Sequence, residues 1–215
     1  MRLYRVFGVC AMGLMAWVPS AMAQKWEFGG GIGGSFYLSR DVTNGSNAAS
    51  AKLKTDVASS VWLGNNSSGK WGGEVRYDYQ RGDYSLERGS TSARFGGETH
   101  AIHYDILWHA TPRGSKVRPF LAAGAGIKVY RGTGQELVTQ PLSQYALLTK
   151  GNELKALLSL GAGVKWQISP SFQFRVEVHD YITPFPKEII APNVGSNVSG
   201  IMQNIVPLVG IAYTF

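Results

Sequence analysis

Hydrophobic and polar residues alternate with a period of two along most of this chain. Over residues 154–168 the even positions are Ala156, Leu158, Leu160, Ala162, Val164, Trp166 and Ile168. The odd positions are Lys155, Leu157, Ser159, Gly161, Gly163, Lys165 and Gln167. Such a period places successive side chains on opposite faces of a β-strand. Seven further segments repeat it, at 26–38, 53–63, 71–79, 102–110, 119–129, 172–182 and 205–215. In each, one face is apolar and the other polar, small or charged. The pattern predicts an all-β chain folded as an eight-stranded antiparallel up-and-down transmembrane barrel, eight being the smallest common size.

The connections alternate in length. Those at 64–70, 111–116 and 169–171 are short, while those at 39–51, 80–98, 130–153 and 183–204 are long. Short periplasmic turns and long extracellular loops are the rule in membrane barrels. The tryptophans at 26, 62, 71, 108 and 166 all fall near the strand ends served by the short turns. Indole favours the membrane–water interface. Trp26, Trp71, Trp108, Trp166, Tyr213 and Phe215 are accordingly the predicted interface aromatics. By parity Trp62 points to the polar face, so a bulge is expected in the second strand.

Alternation alone also fits a soluble, lipocalin-like barrel with its apolar face inward. Glycine distribution separates the two. Gly29, Gly31, Gly33, Gly124, Gly126, Gly161, Gly163 and Gly210 share the polar face, and small residues relieve crowding inside a narrow barrel. The polar face is therefore read as the lumen. Six acids (Glu27, Asp56, Glu74, Asp78, Asp105, Glu177) and six bases (Lys54, Arg76, Lys128, Lys155, Lys165, Arg175) carry that parity. Buried charges persist only when paired, which predicts a packed lumenal salt-bridge network.

The first 23 residues read differently. A cationic start with Arg2 and Arg5, an uncharged apolar stretch from 6 to 18 and the run Ala21-Met-Ala23 before Gln24 make a cleaved secretory signal peptide. The apolar stretch is shorter than the roughly 20 residues of a spanning helix. The domain boundaries are then 1–23 for the leader and 24–215 for the barrel. The lone cysteine, Cys10, leaves with the leader, so disulfides contribute nothing to the mature fold. Without Arg2 and Arg5, 19 basic residues face 14 acidic ones, a net of +5. No lysine/arginine run accompanies this excess, which argues against nucleic acid.

Three features resemble the small OmpA/OmpX-type outer-membrane barrels across residues 24–215. Arg118-Pro119-Phe120-Leu-Ala-Ala-Gly124-Ala-Gly126 is similar to a family strand that follows a short turn. Phe174-Arg175-Val-Glu177-Val-His179-Asp180-Tyr181 resembles the penultimate strand, where Arg and Glu alternate into the lumen and Arg usually stands at the place of His179. Val209, Ile211, Tyr213 and the final Phe215 resemble the signal read by the barrel-assembly machinery. The resemblance to the OmpX-like members implies a barrel without an added periplasmic domain. The resemblance implies the outer membrane of a Gram-negative bacterium, a monomeric state, and contact with outer-membrane lipids including lipopolysaccharide.

Three motifs invite chemistry. Gly29-x-Gly31-x-x-Gly34 matches a dinucleotide fingerprint, but alternation runs straight through it where a helix is required. His179 follows Glu177, yet Tyr181 stands where lipid A deacylases place serine. His103, Asp105 and His109 share one face without a further ligand nearby. No catalytic, cofactor or metal residue is therefore assigned. Basic residues near the outer rim (Arg40, Lys52, Arg81, Arg88, Arg94, Arg131, Lys150, Lys187) are suited to lipopolysaccharide phosphates. The expected role is structural or surface-interacting and without catalysis, with mobile external loops. The alternatives are a narrow pore or small-ligand transporter, and a lipid A-modifying enzyme.

Overall fold

The computed structural model describes residues 26–66, 69–198 and 200–215. The predicted leader, with its Ala23–Gln24 cleavage site, lies outside them. Fifteen strands run in chain order: β1 (Trp26–Tyr37), β2 (Arg40–Asn44), β3 (Asn47–Leu53), β4 (Asp56–Asn65), β5 (Trp71–Arg81), β6 (Tyr84–Arg88), β7 (Thr91–Phe95), β8 (Gly97–His109), β9 (Val117–Gly132), β10 (Ala146–Leu148), β11 (Gly151–Ser169), β12 (Phe172–Pro184), β13 (Ile190–Pro192), β14 (Ser196–Asn197) and β15 (Ile201–Thr214). Among them β1, β4, β5, β8, β9, β11, β12 and β15 close into one antiparallel barrel in which each pairs with the next. The seam joins the first strand to the last, with Phe28 opposite Tyr213 and Ile32 opposite Val209. The eight-stranded up-and-down architecture expected from the alternation is present.

Side-chain direction follows parity. Ile32, Val75, Ile106, Leu121, Leu160 and Val209 point outward and stay exposed, while Glu74, Arg76, Asp105, Lys165 and Arg175 point inward and are buried. Polar residues face the lumen and apolar ones form the outer belt, the arrangement required of a wall whose outside is lipid.

Two expectations need correction in the first hairpin. The register between β1 and β4 runs unbroken from Trp26↔Asn65 to Ser35↔Asp56, so no bulge turns Trp62 outward. It lies in the lumen, 2 % exposed. The irregularity falls instead between Gln167 and Ser169 in β11. The second correction is that Leu53, Lys54 and Asp56 do not share one strand. Leu53 closes β3 and β4 begins at Asp56, and parity does not carry across the break.

The long connections carry strands of their own. They supply a five-stranded sheet of order β14-β2-β3-β6-β7 and a small β10–β13 ribbon. Gly45 and Gly89, each with φ near +58 (58 and 57), open the two-residue turns of the β2–β3 and β6–β7 hairpins. Such turns need left-handed backbone, which glycine adopts without penalty. Val42, Ala51, Leu53, Tyr84, Leu86, Tyr145, Leu148, Phe185, Ile189 and Met202 are buried together beneath this sheet. The result is a cap with an apolar core, seated on the end of the barrel opposite the short turns.

Candidate functional site

The lumen is filled by charges held from facing strands. Arg76 of β5 and Arg175 of β12 share two carboxylates. Arg76 donates to Glu74 (2.9 Å), to both oxygens of Glu177 (2.8 and 3.0 Å) and to Ser60 (2.9 Å). Arg175 donates to both oxygens of Glu74 (2.7 and 2.8 Å) and through Nε to Glu177 (2.7 Å). The quartet is electrically neutral and bonded in a bidentate manner, the condition under which buried charge is tolerated. Trp62 lies against both guanidinium groups, at 5.2 Å from Arg76 and 4.8 Å from Arg175. A Cβ at Gly29 would collide with that indole, so the lumenal glycine there makes space for the tryptophan.

Smaller units extend the network to both ends. Toward the short turns, Lys165 donates to Glu27 (2.7 Å), whose other oxygen accepts from Asn66 (2.9 Å). Toward the cap, the His103 ring nitrogens face Asp105 and Asp78 at 2.9 Å each. Above them the Lys128 ammonium donates to Gln80 (3.1 Å) and Asn204 (2.9 Å). The rings of Tyr37, Tyr130 and Tyr181 surround it at 4.8, 5.5 and 5.5 Å. Aromatic faces and amide oxygens thus receive this cation where no carboxylate pairs with it among the described residues.

Glu27, Glu74, Arg76, Asp78, Asp105, Lys128, Lys165, Arg175 and Glu177 therefore lie in the lumen. Three predicted members do not join the network. Lys54 lies over the outer sheet and pairs with Glu87 at 3.2 Å. Asp56 is exposed, and its carboxylate accepts from the Val57 amide. Lys155 is half-buried at the outer mouth and pairs with Glu153. Conversely Trp62, His103, Asn204 and Gln80 belong to the network without having been assigned to it. Parity carried the signal for Trp62 and His103, and only their burial reveals the role.

In the lumen His103 and His179 stand with ring centroids 6.4 Å apart, and both face Asp105, at 2.9 and 3.7 Å. His179 is fully buried in the lumen, between Glu177 (3.1 Å), Arg76 (3.3 Å) and Ser159 (3.3 Å). His109 lies beside Phe120 near the short turns, apart from the His103–Asp105 pair. Among the described residues no group of three or more metal-type ligands forms.

On the outer wall the aromatic belt is visible at the short-turn end. Trp26, Trp71, Trp108, Trp166 and Tyr213 are exposed there, and Phe215 stacks on Tyr213. The backbones of Trp26 and Phe215 exchange hydrogen bonds (3.0 and 2.9 Å), which ties the C-terminal residue into the barrel seam. Near the cap the wall turns polar. Tyr79 donates to Glu98 (3.0 Å), Tyr77 meets His100 (2.7 Å) and Arg131 pairs with Glu98 (2.8 Å). A belt apolar in the middle and aromatic and polar at its margins is what a bilayer selects.

No family model and no curated protein matches the chain. Solved structures do. Neisserial surface protein A is 10 % identical with a TM-score of 0.53, covering 88 % of this chain and 97 % of that one. Outer membrane protein OprG from Pseudomonas aeruginosa is 12 % identical with a TM-score of 0.51, covering 90 % and 97 %. Taken with the closed wall and the filled lumen, these likenesses show that the chain has the fold of the small OmpA/OmpX-type outer-membrane β-barrels.

Proposed function

We propose that this protein is a monomeric, non-catalytic and non-conducting barrel of the outer membrane that presents its cap for surface interaction. One observation carries the reading: a lumen occupied by paired charges lies under a folded cap with its own apolar core. A transport route would need an open lumen, and the Arg76/Arg175 quartet, Trp62 and the caged Lys128 occupy that space. A lipid A-modifying site would need its histidine on the lipid side, whereas His179 is enclosed. What remains accessible at the outer end is the outward face of the cap sheet, with Asp41, Thr43, Ser92 and Arg94 exposed.

The same reading assigns the partners. Outer-leaflet lipopolysaccharide meets the rim at Arg81, Arg131 and neighbouring bases, and the barrel-assembly machinery reads Val209, Ile211, Tyr213 and Phe215. No nucleic acid and no cofactor is involved. Planar-bilayer recording of the mature protein is the direct test. Silence is expected, and steady unitary currents would replace this reading with the pore. Unchanged lipid A mass spectra in cells expressing the protein are expected as well. Adhesion of those cells to foreign surfaces should fall when Asp41, Lys52 and Arg94 are replaced together by Ser, and unchanged adhesion would sink the surface-interaction role.

A further inference from the structure

The barrel is open at the end opposite the cap. Beside Asn66 and the turns joining β8 to β9 and β11 to β12 lies a cavity of about 150 Å³, lined by Asn66, Arg113, Arg118, Gln167, Gln173 and Thr214. That volume far exceeds the roughly 10–15 Å³ that admits one water. The lumenal charges nearby are already committed, because Glu27 is taken by Lys165 and Asn66. The two arginines of the cavity are not. Neither Arg113 nor Arg118 pairs with a carboxylate among the described residues.

Arg118 is the informative one. It is 5 % exposed, and its Nε has no hydrogen-bond partner among the described residues. Among the described residues its terminal nitrogens make long contacts, to Asn66 Oδ1 (3.3 Å) and the Gly69 carbonyl (3.4 Å). Gln173, 7 % exposed, also leaves its Oε1 without a donor among the described residues. Arg113 stands exposed at the entrance and is held through its backbone N–H to the Gly69 carbonyl (2.9 Å). An unpaired buried guanidinium is costly. A cavity of this size beside two unpaired arginines calls for an anion with several acceptor oxygens, and arginine's planar fork matches phosphate in a bidentate manner.

We propose that this inner mouth is a binding site for a phosphate group, with Arg118 as the buried anchor, Arg113 as the entrance contact and Gln173 in the polar lining. The phosphate is either free in the periplasm or carried on the headgroup of an inner-leaflet phospholipid. The site lies at the far end of the barrel from the cap and stands or falls independently of the surface-interaction reading.

The test uses the mature protein in dodecyl maltoside, an uncharged detergent free of phosphate. Inorganic phosphate and dioctanoyl phosphatidylglycerol are titrated separately. The readouts are the Arg118 Nε–H resonance and the Gly114 backbone amide on the adjoining turn. Saturable shifts with inorganic phosphate identify the free anion, and saturable shifts with the lipid alone identify the headgroup. Arg118→Gln is expected to abolish the response and Arg113→Gln to weaken it about tenfold, the scale of one charge-assisted hydrogen bond. Because Arg118 also contacts Asn66 and Gly69, heat-modifiable gel migration must first show that Arg118→Gln is folded. Arg113→Gln, on an exposed turn, keeps the test decisive if it is not. Absence of saturable shifts with both ligands, or equal binding by wild type and Arg113→Gln, overturns the proposal.

Discussion

The lumen and the cap are two cores stacked in one molecule, and they are built on opposite principles. In the lumen the interior is charged and the wall outside it is apolar, with Asp105 and His103 buried while Tyr104 and Ile102 are exposed. In the cap the interior is apolar and the outer face polar, with Val42 buried between exposed Asp41 and Thr43. Strand alternation is the same in both. What changes is the medium. Lipid makes the outward face apolar and sends polar groups inward, where each must find a partner. Water reverses the assignment and lets the hydrophobic effect build the inside. Strand β8 crosses the boundary within its own length, its outward residues passing from Ile106, Tyr104 and Ile102 to His100 and Glu98.

The comparison is broken most forcefully in the lumen. Arg175→Met leaves Glu74 and Glu177 short of a partner, and a loss of about 3–5 kcal/mol is expected because a buried charge is uncompensated. Urea unfolding in micelles, followed by tryptophan fluorescence, reads it. A loss below about 1 kcal/mol would mean a wet, screened lumen. In the cap, Phe185→Ala removes a side chain from an apolar core and should cost about 3–5 kcal/mol locally. Hydrogen exchange should accelerate in β2, β3, β6 and β7 and leave β9, β11 and β12 protected. Equal acceleration throughout would make the two cores one cooperative unit.

Two further changes test the outer faces. Leu160→Arg on the membrane wall should cost about 2–4 kcal/mol near the midplane. Ser92→Arg, equally outward but on the cap, should stay within about 0.5 kcal/mol. Comparable losses would remove the distinction of medium. The smallest effect concerns pH. The Ser85 hydroxyl, followed by Lys54, holds the Glu87 carboxyl below its ordinary value. A carboxyl lowered in the folded state stabilises above its unfolded value and loses that contribution as pH falls through its folded one. The gain is therefore present at neutral pH and disappears in acid. Glu87 is partly exposed, so solvent screening limits it to a few tenths of a kcal/mol. An NMR titration of Glu87 should show a midpoint that rises in Ser85→Ala, and an unmoved midpoint would discount the contact.

Much of the barrel was legible along the chain, since a lipid-facing wall imposes strict alternation over ten or more residues. Residues 154–168 show this with Leu157 the one exception, and the lumenal glycines identified which face turns inward. Legibility ended where strands became short or parity broke. Strands β2, β6 and β7 are five residues each, too few for a periodic signal to separate them from a loop. Lys54 and Asp56 were misplaced because parity was carried through a corner between two strands. Trp62 was suspected of facing lipid because indole at an interface is the commoner arrangement, and its stacking on two guanidinium groups depends on strands far away in sequence.

The sequence by itself determined the number of barrel strands, their order and the polarity of the two faces, because each of these is set by neighbours one or two positions apart. Only the tertiary structure decided which charges meet. Arg76 and Glu177 are 101 residues apart and share a bidentate contact, and nothing local to either residue specifies the other. The apolar cap core was decided in the same way, by bringing Val42, Leu86, Tyr145 and Phe185 together from four separate connections. Alternation is a local consequence of backbone geometry and medium. Pairing in the lumen and burial in the cap arise from closure of the barrel, which brings distant strands to within a side chain's reach.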